Sequence, residues 1–463
     1  MAQYFFRILF YSLILFACAA HAQDEVLVAS LTFEGNKITR ERILLREMTF
    51  RQGQTLSREK LNYHLERSKS NVWNLELFNF VEIDTCWYGR NEVDVVVRVT
   101  ERWYVWPIPF VEFADRNLRE WWEDKRWDRL DYGADIKWSN FRGANETVVL
   151  QLRFGYNNRY QLRYKIPNLD KAQKWGLEVK GYYEQAHEVS YAAENNKRLF
   201  YKNPHRHIRK ESFGAVSTTY RPNLYNKHSI NVSYRHSWVL DSVVKLQPEY
   251  FGAGENVSRY VSLEYNVRRE MTDYSDYPLK GYRFEFSIRK DGLRIFDSPV
   301  DIWAIEAEFA KYWQLHKRWY FAHGQKIKVS STNRQSYSLQ EGLGYDRDFV
   351  RGYELYVIDG QHYGLLKTSL KWAILPFRKV KLGFLKSEKF NTLPLAFYAN
   401  LNFDMGFVID NQFNTGNPLA GQLLFGGGLG IDVVTFYDIS WRAEYSMNKA
   451  LEHGFFLHFT KHI

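Results

Sequence analysis

Cysteine is nearly missing from this sequence: Cys18 and Cys86 are its two. Removal of a leader containing Cys18 would leave Cys86 alone, so no internal disulfide could form. Cys86 lies in a strand-like run and reads as a half-buried thiol. Long apolar runs are also scarce. Past the amino terminus no segment offers the ~20 apolar residues of a membrane helix, and mean hydropathy is −0.47. The motifs of hydrolytic catalysis are missing, with no HExxH or GxSxG among 13 scattered histidines. His205-Arg206-His207 has metal-binding residue types, but a loop histidine pair reads as solvated. The sequence therefore points to no enzyme, no cofactor and no metal site. The formal charge of +10 is spread along the chain, which argues against nucleic acid as a partner and leaves anionic lipid or acidic partners open.

The first residues read as a signal peptide, 1–22. Arg7 is its positive end, Ile8 to Ala20 its apolar core, and Ala20-His21-Ala22 a small-x-small cleavage site, so the mature chain begins at Gln23. The rival reading is a lipoprotein signal that uses Cys18. An exported chain without membrane helices is either soluble or a barrel.

Aromatics are abundant, with 32 Tyr, 33 Phe and 15 Trp. Many aromatics in a polar chain suit sheets with one apolar and one wet face, as in a transmembrane β-barrel with aromatic girdles. From Trp103 to Ile463 the pattern has period two and no convincing long helix. Val148, Leu150, Leu152 and Phe154 alternate with Val149, Gln151, Arg153 and Gly155. Trp441, Ala443 and Tyr445 alternate with Ser440, Arg442 and Glu444. In a soluble sandwich the charged side would face bulk water. In a barrel it would line the lumen. The number of strands, aromatics near strand ends (Trp103, Trp106, Tyr182, Tyr183, Trp238) and the alternating end segment Gly454 to Ile463 favour the barrel. About sixteen strands are expected, near 104–113, 130–140, 146–157, 158–166, 174–184, 211–220, 227–237, 258–268, 279–290, 301–314, 318–330, 363–375, 394–407, 421–434, 437–446 and 454–462. An even count puts both chain ends on the periplasmic side. It makes the long loops extracellular: Tyr191–Lys210, Leu240–Val257, Ser331–His362 and Asp410–Ala420. The cations of Tyr191–Lys210 read as a solvated loop, with a specific partner as the alternative.

Residues 24 to 101 differ, and read as a β-α-α-β-β unit. Val26 to Phe33 is a strand, and Glu34-Gly35-Asn36 a turn. Thr39 can cap a short helix carrying Ile43, Leu44 and Glu47. Ser57 caps a second, which would bury Leu61, Leu65 and Val72. Phe80 to Trp87 and Glu92 to Thr100 form a hairpin. The Phe33-x-Gly35-Asn36 turn, the Leu75-x-x-x-x-Phe80 approach and the valine-rich last strand resemble a polypeptide-transport-associated (POTRA) domain. That resemblance implies a periplasmic module, 23–102, that binds polypeptides by strand addition. The other reading is a rigid spacer.

Phe349-Val350-Arg351-Gly352-Tyr353 lies between the eleventh and twelfth expected strands. In isolation Arg-Gly-Tyr reads as a solvated turn. Val350-Arg351-Gly352-Tyr353, however, resembles the Val/Ile-Arg-Gly-Phe/Tyr motif in the sixth extracellular loop of the BamA, TamA and FhaC superfamily. The resemblance implies that this loop, near 340–360, folds into the lumen and that its arginine meets an aspartate on the thirteenth strand. Phe403-Asp404-Met405-Gly406 matches the Phe-Asp-x-Gly motif there. Parity independently points Asp404 inward with Asn400 and Asn402, opposite Leu401, Phe403 and Met405. Asp276-Tyr277-Pro278-Leu279-Lys280-Gly281 resembles the family's Asp-x-Pro-x-x-Gly approach to the ninth strand. Gly344-Tyr345 departs from the family's Gly-Gly.

The fold class expected is mainly β: a small α+β periplasmic POTRA domain followed by a 16-stranded antiparallel transmembrane β-barrel, 103–463. The resemblance implies an outer-membrane insertion or translocation factor. Its partners would be unfolded outer-membrane or secreted polypeptides, outer-membrane lipid and accessory periplasmic proteins. A passive channel and a dedicated two-partner secretion pore are the alternatives.

Overall fold

The structure is a computed structural model that describes residues 25–113, 129–296, 298–331, 335–387, 389–413, 416–435 and 439–460. The leader, Cys18, Lys461 and Ile463 fall outside the described residues. The chain divides into two compact units, one ending at Glu101 and one beginning at Arg102.

The first unit contains β1 (Glu25–Glu34), α1 (Glu41–Glu47), β2 (Thr55–Ser57), α2 (Arg58–Trp73), β3 (Phe78–Tyr88) and β4 (Glu92–Glu101). Its sheet order is β2-β1-β4-β3, with β1 parallel to β4. Val93, Val95 and Val97 are fully buried, as are Val26, Val28, Leu44, Leu61 and Val72. Three sequence expectations are corrected. The short β2 was unforeseen, because three residues carry no period; it pairs Leu56 with Val26. Thr39 does not cap α1, whose cap position is Arg40. Instead its N–H and hydroxyl donate to Glu101 Oε1 at 2.6 and 2.7 Å. Cys86 is exposed, since the last three residues of β3 are all open to solvent. Ser57 does cap α2, accepting from the Lys60 N–H at 3.4 Å.

Gly35 and Asn36 shape the turn after β1. Gly35 has φ +88°, and a β-carbon there would collide with the Val99 carbonyl oxygen. Asn36 Nδ2 donates to the Thr39 carbonyl at 3.1 Å.

The second unit is a 16-stranded antiparallel sheet, the wall of a β-barrel. Its strands are β5 (Val105–Phe113), β6 (Leu130–Phe141), β7 (Glu146–Gly155), β8 (Asn158–Ile166), β9 (Trp175–Ala186), β12 (Arg209–Tyr220), β13 (Asn226–Val239) and β14 (Val257–Thr272), then β15 (Gly281–Asp291), β16 (Ile302–His316), β17 (Trp319–Ser330), β18 (His362–Lys381), β19 (Thr392–Ile409), β20 (Leu424–Val434), β21 (Ser440–Asn448) and β22 (His453–Thr460). No helix among the described residues is long and apolar enough to cross a membrane. The outer face exposes Leu162, Leu263, Phe284, Leu401, Trp441 and Tyr445. The inner face is laced with ion pairs such as Arg159–Glu184 at 2.8 Å and Arg235–Glu211 at 2.9 Å. Charge in a narrow lumen is tolerated when paired.

One end of the barrel, where β5 begins and β22 finishes, is called proximal here; the other is distal. The distal loops are structured. Between β9 and β12 lies a hairpin, β10 (Glu188–Glu194) with β11 (Lys197–Lys202), in the segment expected to be a solvated loop. A short helix, α3 (Asp241–Leu246), follows β13. β18 and β19 outrun the expected 363–375 and 394–407. Register shifts between Ala373, Leu375 and Arg378 accommodate Pro376 within β18.

Candidate functional site

The long distal loop between β17 and β18 folds back against the inner wall. Bridges Leu343–Ile358 and Tyr345–Asp348 shape it. Val350 and Tyr353 are buried in one cluster with Leu343, Ile358, Tyr363, Leu365, Val408 and Leu424. Arg351 between them points at the wall. Its Nη1 lies 2.5 Å from Asp404 Oδ1, and its backbone N–H donates to Asp404 Oδ2 at 3.3 Å. Its Nε pairs with Glu444 Oε1 on β21 at 2.7 Å. The Arg351 side chain is 9% exposed, and both carboxylates are 0% exposed. A single guanidinium thus holds two buried carboxylates from different strands, where an unpaired charge would be strongly disfavoured.

Glycines make room for this contact. A β-carbon on Gly406 would stand 2.5 Å from Val350 Cγ2 and 2.7 Å from Leu343 Cδ1. One on Gly426 would collide with the Arg351 carbonyl oxygen. Gly352, at φ +81°, lies against β21, where a β-carbon would be 2.5 Å from the Asn448 nitrogen. Asn448 Nδ2 donates to the Gly352 carbonyl at 3.0 Å. Asn400 and Asn402 are buried beside Asp404, while Phe403 is 46% exposed on the outer face. Phe403 therefore takes no part in the inner contact, although it belongs to the matched motif.

The loop spans the wall as far as the last strand. On β17, Lys326 Nζ reaches Asp348 at 2.6 Å. On β18, the Tyr363 hydroxyl donates to Asp348 at 2.8 Å, and Lys367 lies 4.3 Å over the Phe349 ring. Phe349 in turn stacks on His458 of β22, ring centres 5.5 Å apart. Glu444, Gly426, Asn448 and His458 were not singled out from sequence. Parity already put Glu444 on the inner face, but nothing local marked it as the second partner of Arg351.

Other loops hold this loop from the distal side. Asn196, at the tip of the β10–β11 hairpin, exchanges backbone bonds with Val357 and Gly416 and accepts from the Leu419 N–H at 3.0 Å. Arg198 lies 4.4 Å over the ring of Tyr345, whose hydroxyl donates to Asp359. Tyr345, the departure from Gly-Gly, thus has its own anchorage. Burial raises the Asp359 carboxyl to about 6; the Tyr345 hydrogen bond opposes the shift, nearby Asp410 adds to it, and Arg198 and Tyr337 oppose it.

A second inner contact lies at the proximal end. In the turn between β14 and β15 the Tyr277 hydroxyl donates to Asp432 at 2.6 Å. Asp432 also takes a bidentate pair from Arg442, at 2.6 and 2.8 Å. Asp273 holds the turn through its backbone contacts. Asp273 Oδ1 accepts from the N–H groups of Tyr274, Leu279 and Lys280 at 3.0–3.1 Å. Gly281, at φ +103°, has no room for a β-carbon beside the Met271 carbonyl.

His207 lies against His187, ring centres 4.1 Å apart, and no group of three or more metal-ligating side chains occurs among the described residues.

Residues 26–102 match the POTRA family model, described as a surface antigen variable number repeat. No curated protein matches the chain by sequence. Among solved structures the chain is similar to BamA from Haemophilus ducreyi lacking POTRA domains 1–3, at 15% identity and a TM-score of 0.51, covering 94% of this chain and 84% of that one. It is also similar to CdiB from Escherichia coli, at 12% identity and a TM-score of 0.54, covering 94% and 76%. The first unit is a POTRA domain, and the chain as a whole shares the fold of these BamA and CdiB structures.

Proposed function

We propose that this chain is an outer-membrane factor that inserts polypeptides into the outer membrane or moves them across it. The POTRA unit would sit in the periplasm and the distal loops outside the cell. The observation that carries this reading is the loop seat: Arg351 fastens the in-folded loop to β19 and β21, and Phe349 extends it onto His458 of the last strand. β5 and β22 are the two ends of the sheet, and no pairing between them occurs among the described residues. A loop braced across the strands next to that seam can hold it shut or let it open. The POTRA sheet supplies the receiving surface. Its β3 is an edge strand, paired with β4 and with no second neighbour among the described residues, and such an edge accepts an extended chain by strand addition. The reading assigns no catalysis and no cofactor.

A passive channel fits less well, because the in-folded loop and the Tyr277 turn occupy the inner face. Accessory periplasmic proteins remain candidates for the same POTRA edge.

Cys86 gives a direct test, being a free, exposed thiol on β3. A thiol-reactive photocrosslinker attached there in cells should capture unfolded outer-membrane or secreted polypeptides, and Cys86→Ser should abolish the adducts. Capture of nothing beyond background would remove the receiving role. A disulfide engineered between β5 and β22 separates the two routes. Loss of activity with the seam closed supports lateral opening; retention leaves passage through the lumen.

A further inference from the structure

The hairpin formed by the proximal parts of β18 and β19 is out of proportion to its neighbours. β17 begins at Trp319, which pairs with Trp372, and the Ala373 N–H still reaches the Arg318 carbonyl at 2.8 Å. Beyond Ala373, β18 runs on to Lys381 with only β19 beside it, in register to Lys381–Thr392. On the far side, β20 ends at Val434, opposite Ala396. A two-stranded arm roughly 25 Å long therefore leaves the wall. It is well formed. At its tip Leu382 N–H donates to Asn391 at 2.6 Å, and Asn391 N–H to Ser387 at 2.8 Å. Its returning side rests on the foot of β5, with Phe390 6.3 Å from the Trp106 ring and 6.4 Å from Trp103.

The arm's composition is one-sided. Residues 374–395 contain Arg378, Lys379, Lys381, Lys386 and Lys389 against a single acid, Glu388. Arg378, Lys379, Lys381 and Lys386 are exposed. So are the apolar Ile374, Phe377, Val380 and Phe384, the last at 79%. Soluble surfaces seldom carry exposed phenylalanine among lysines. A membrane interface favours that mixture, because aromatic rings enter the headgroup layer while cations meet lipid phosphates. The level is marked on the protein. Trp313, Trp319 and Trp372 are all exposed on the outer face where β16 and β17 turn, the position of an aromatic girdle. The arm leaves the barrel at that girdle.

We propose that the β18–β19 arm is a binding surface for anionic phospholipid in the proximal leaflet, with its basic side chains on the headgroups and Phe377 and Phe384 in the interfacial layer. The barrel would then gather acidic lipid beside the foot of β5. This inference needs only that the chain is a membrane barrel and does not depend on the transport reading.

The test uses the full chain reconstituted in phosphatidylcholine vesicles containing spin-labelled phosphatidylglycerol or spin-labelled phosphatidylcholine. Wild type should immobilise the anionic label in preference, by about threefold or more, and 0.5 M salt should reduce that preference. Arg378→Gln/Lys379→Gln/Lys381→Gln/Lys386→Gln should bring it near parity, with heat-modified gel mobility reporting an intact barrel. Should that variant fail to fold, Lys381→Gln/Lys386→Gln should give a partial loss and Phe384→Ser a weaker one. An unchanged preference in a folded variant, or one insensitive to salt, overturns the proposal. So does displacement of the label by an acidic peptide at low concentration, which would make polypeptide the partner instead.

Discussion

A β-carbon on Gly426 of β20 would collide with the carbonyl oxygen of Arg351. The in-folded loop and the wall are therefore in backbone contact, and Gly426→Val should force them apart. The expected result is a loop newly open to protease and to labelling of a cysteine placed at position 349. An equally protected loop in the variant would mean that the contact is slack.

The charges at the seat predict an asymmetry. Arg351→Ala strips buried Asp404 of its ion pair and leaves Glu444 only the longer contact with Arg442 at 3.9 Å, whereas Asp404→Ala leaves Arg351 still paired with Glu444. Stranding buried charge costs about 3–5 kcal/mol, so Arg351→Ala should lower barrel stability and function more than Asp404→Ala. Adding Asp404→Asn and Glu444→Gln to Arg351→Ala should restore part of the loss. Independent, additive effects would refute the lock. Unfolding in urea followed by heat-modified mobility gives the measurement.

Asp359 predicts a pH dependence in the distal loops. Its carboxyl is raised from 3.8 to about 6 by burial, so the folded loop binds a proton more tightly than the unfolded chain. That contribution is fully present below about pH 4 and is lost as pH rises through 6, amounting to up to about 3 kcal/mol. Protection factors across 340–360, corrected for the base-catalysed intrinsic exchange rate, should be higher at pH 5 than at pH 7.5, and Asp359→Asn should remove most of that difference. A dependence of opposite sign would contradict the assignment.

In the POTRA unit, Glu101 accepts from Ile38 N–H, Thr39 N–H and the Thr39 hydroxyl while 6% exposed. Glu101→Ala should leave buried donors unpaired, at about 1–3 kcal/mol. Faster hydrogen exchange confined to residues 35–45 is the expected signature, with Glu101→Gln milder. Wild-type exchange in Glu101→Ala would show that water replaces the carboxylate.

Much of the fold was legible because strand periodicity is local. Sixteen period-two runs became sixteen strands, and the inward parity of Asp404 followed from counting alone. Short or conditional features were not legible. β2 has three residues, Thr39 found a carboxylate 62 positions away, and Cys86 is exposed because β3 outruns its cover. At the site, Val350-Arg351-Gly352-Tyr353 and Asp404 stood out as motifs, but Glu444 and His458 did not. Each lies on a strand whose alternation resembles that of its neighbours.

The sequence by itself determined the strand count and the face each side chain takes, since these depend on residue type and spacing along the chain. Only the tertiary structure decided what Arg351 holds. In sheet register Glu444 lies across β20 from Asn400, four residues along β19 from Asp404, so one guanidinium serves both carboxylates because the in-folded loop lays Arg351 between them. Register decided that β18 and β19 continue beyond Trp319 and Val434 as an unaccompanied arm, because a strand's free length depends on where its neighbours stop.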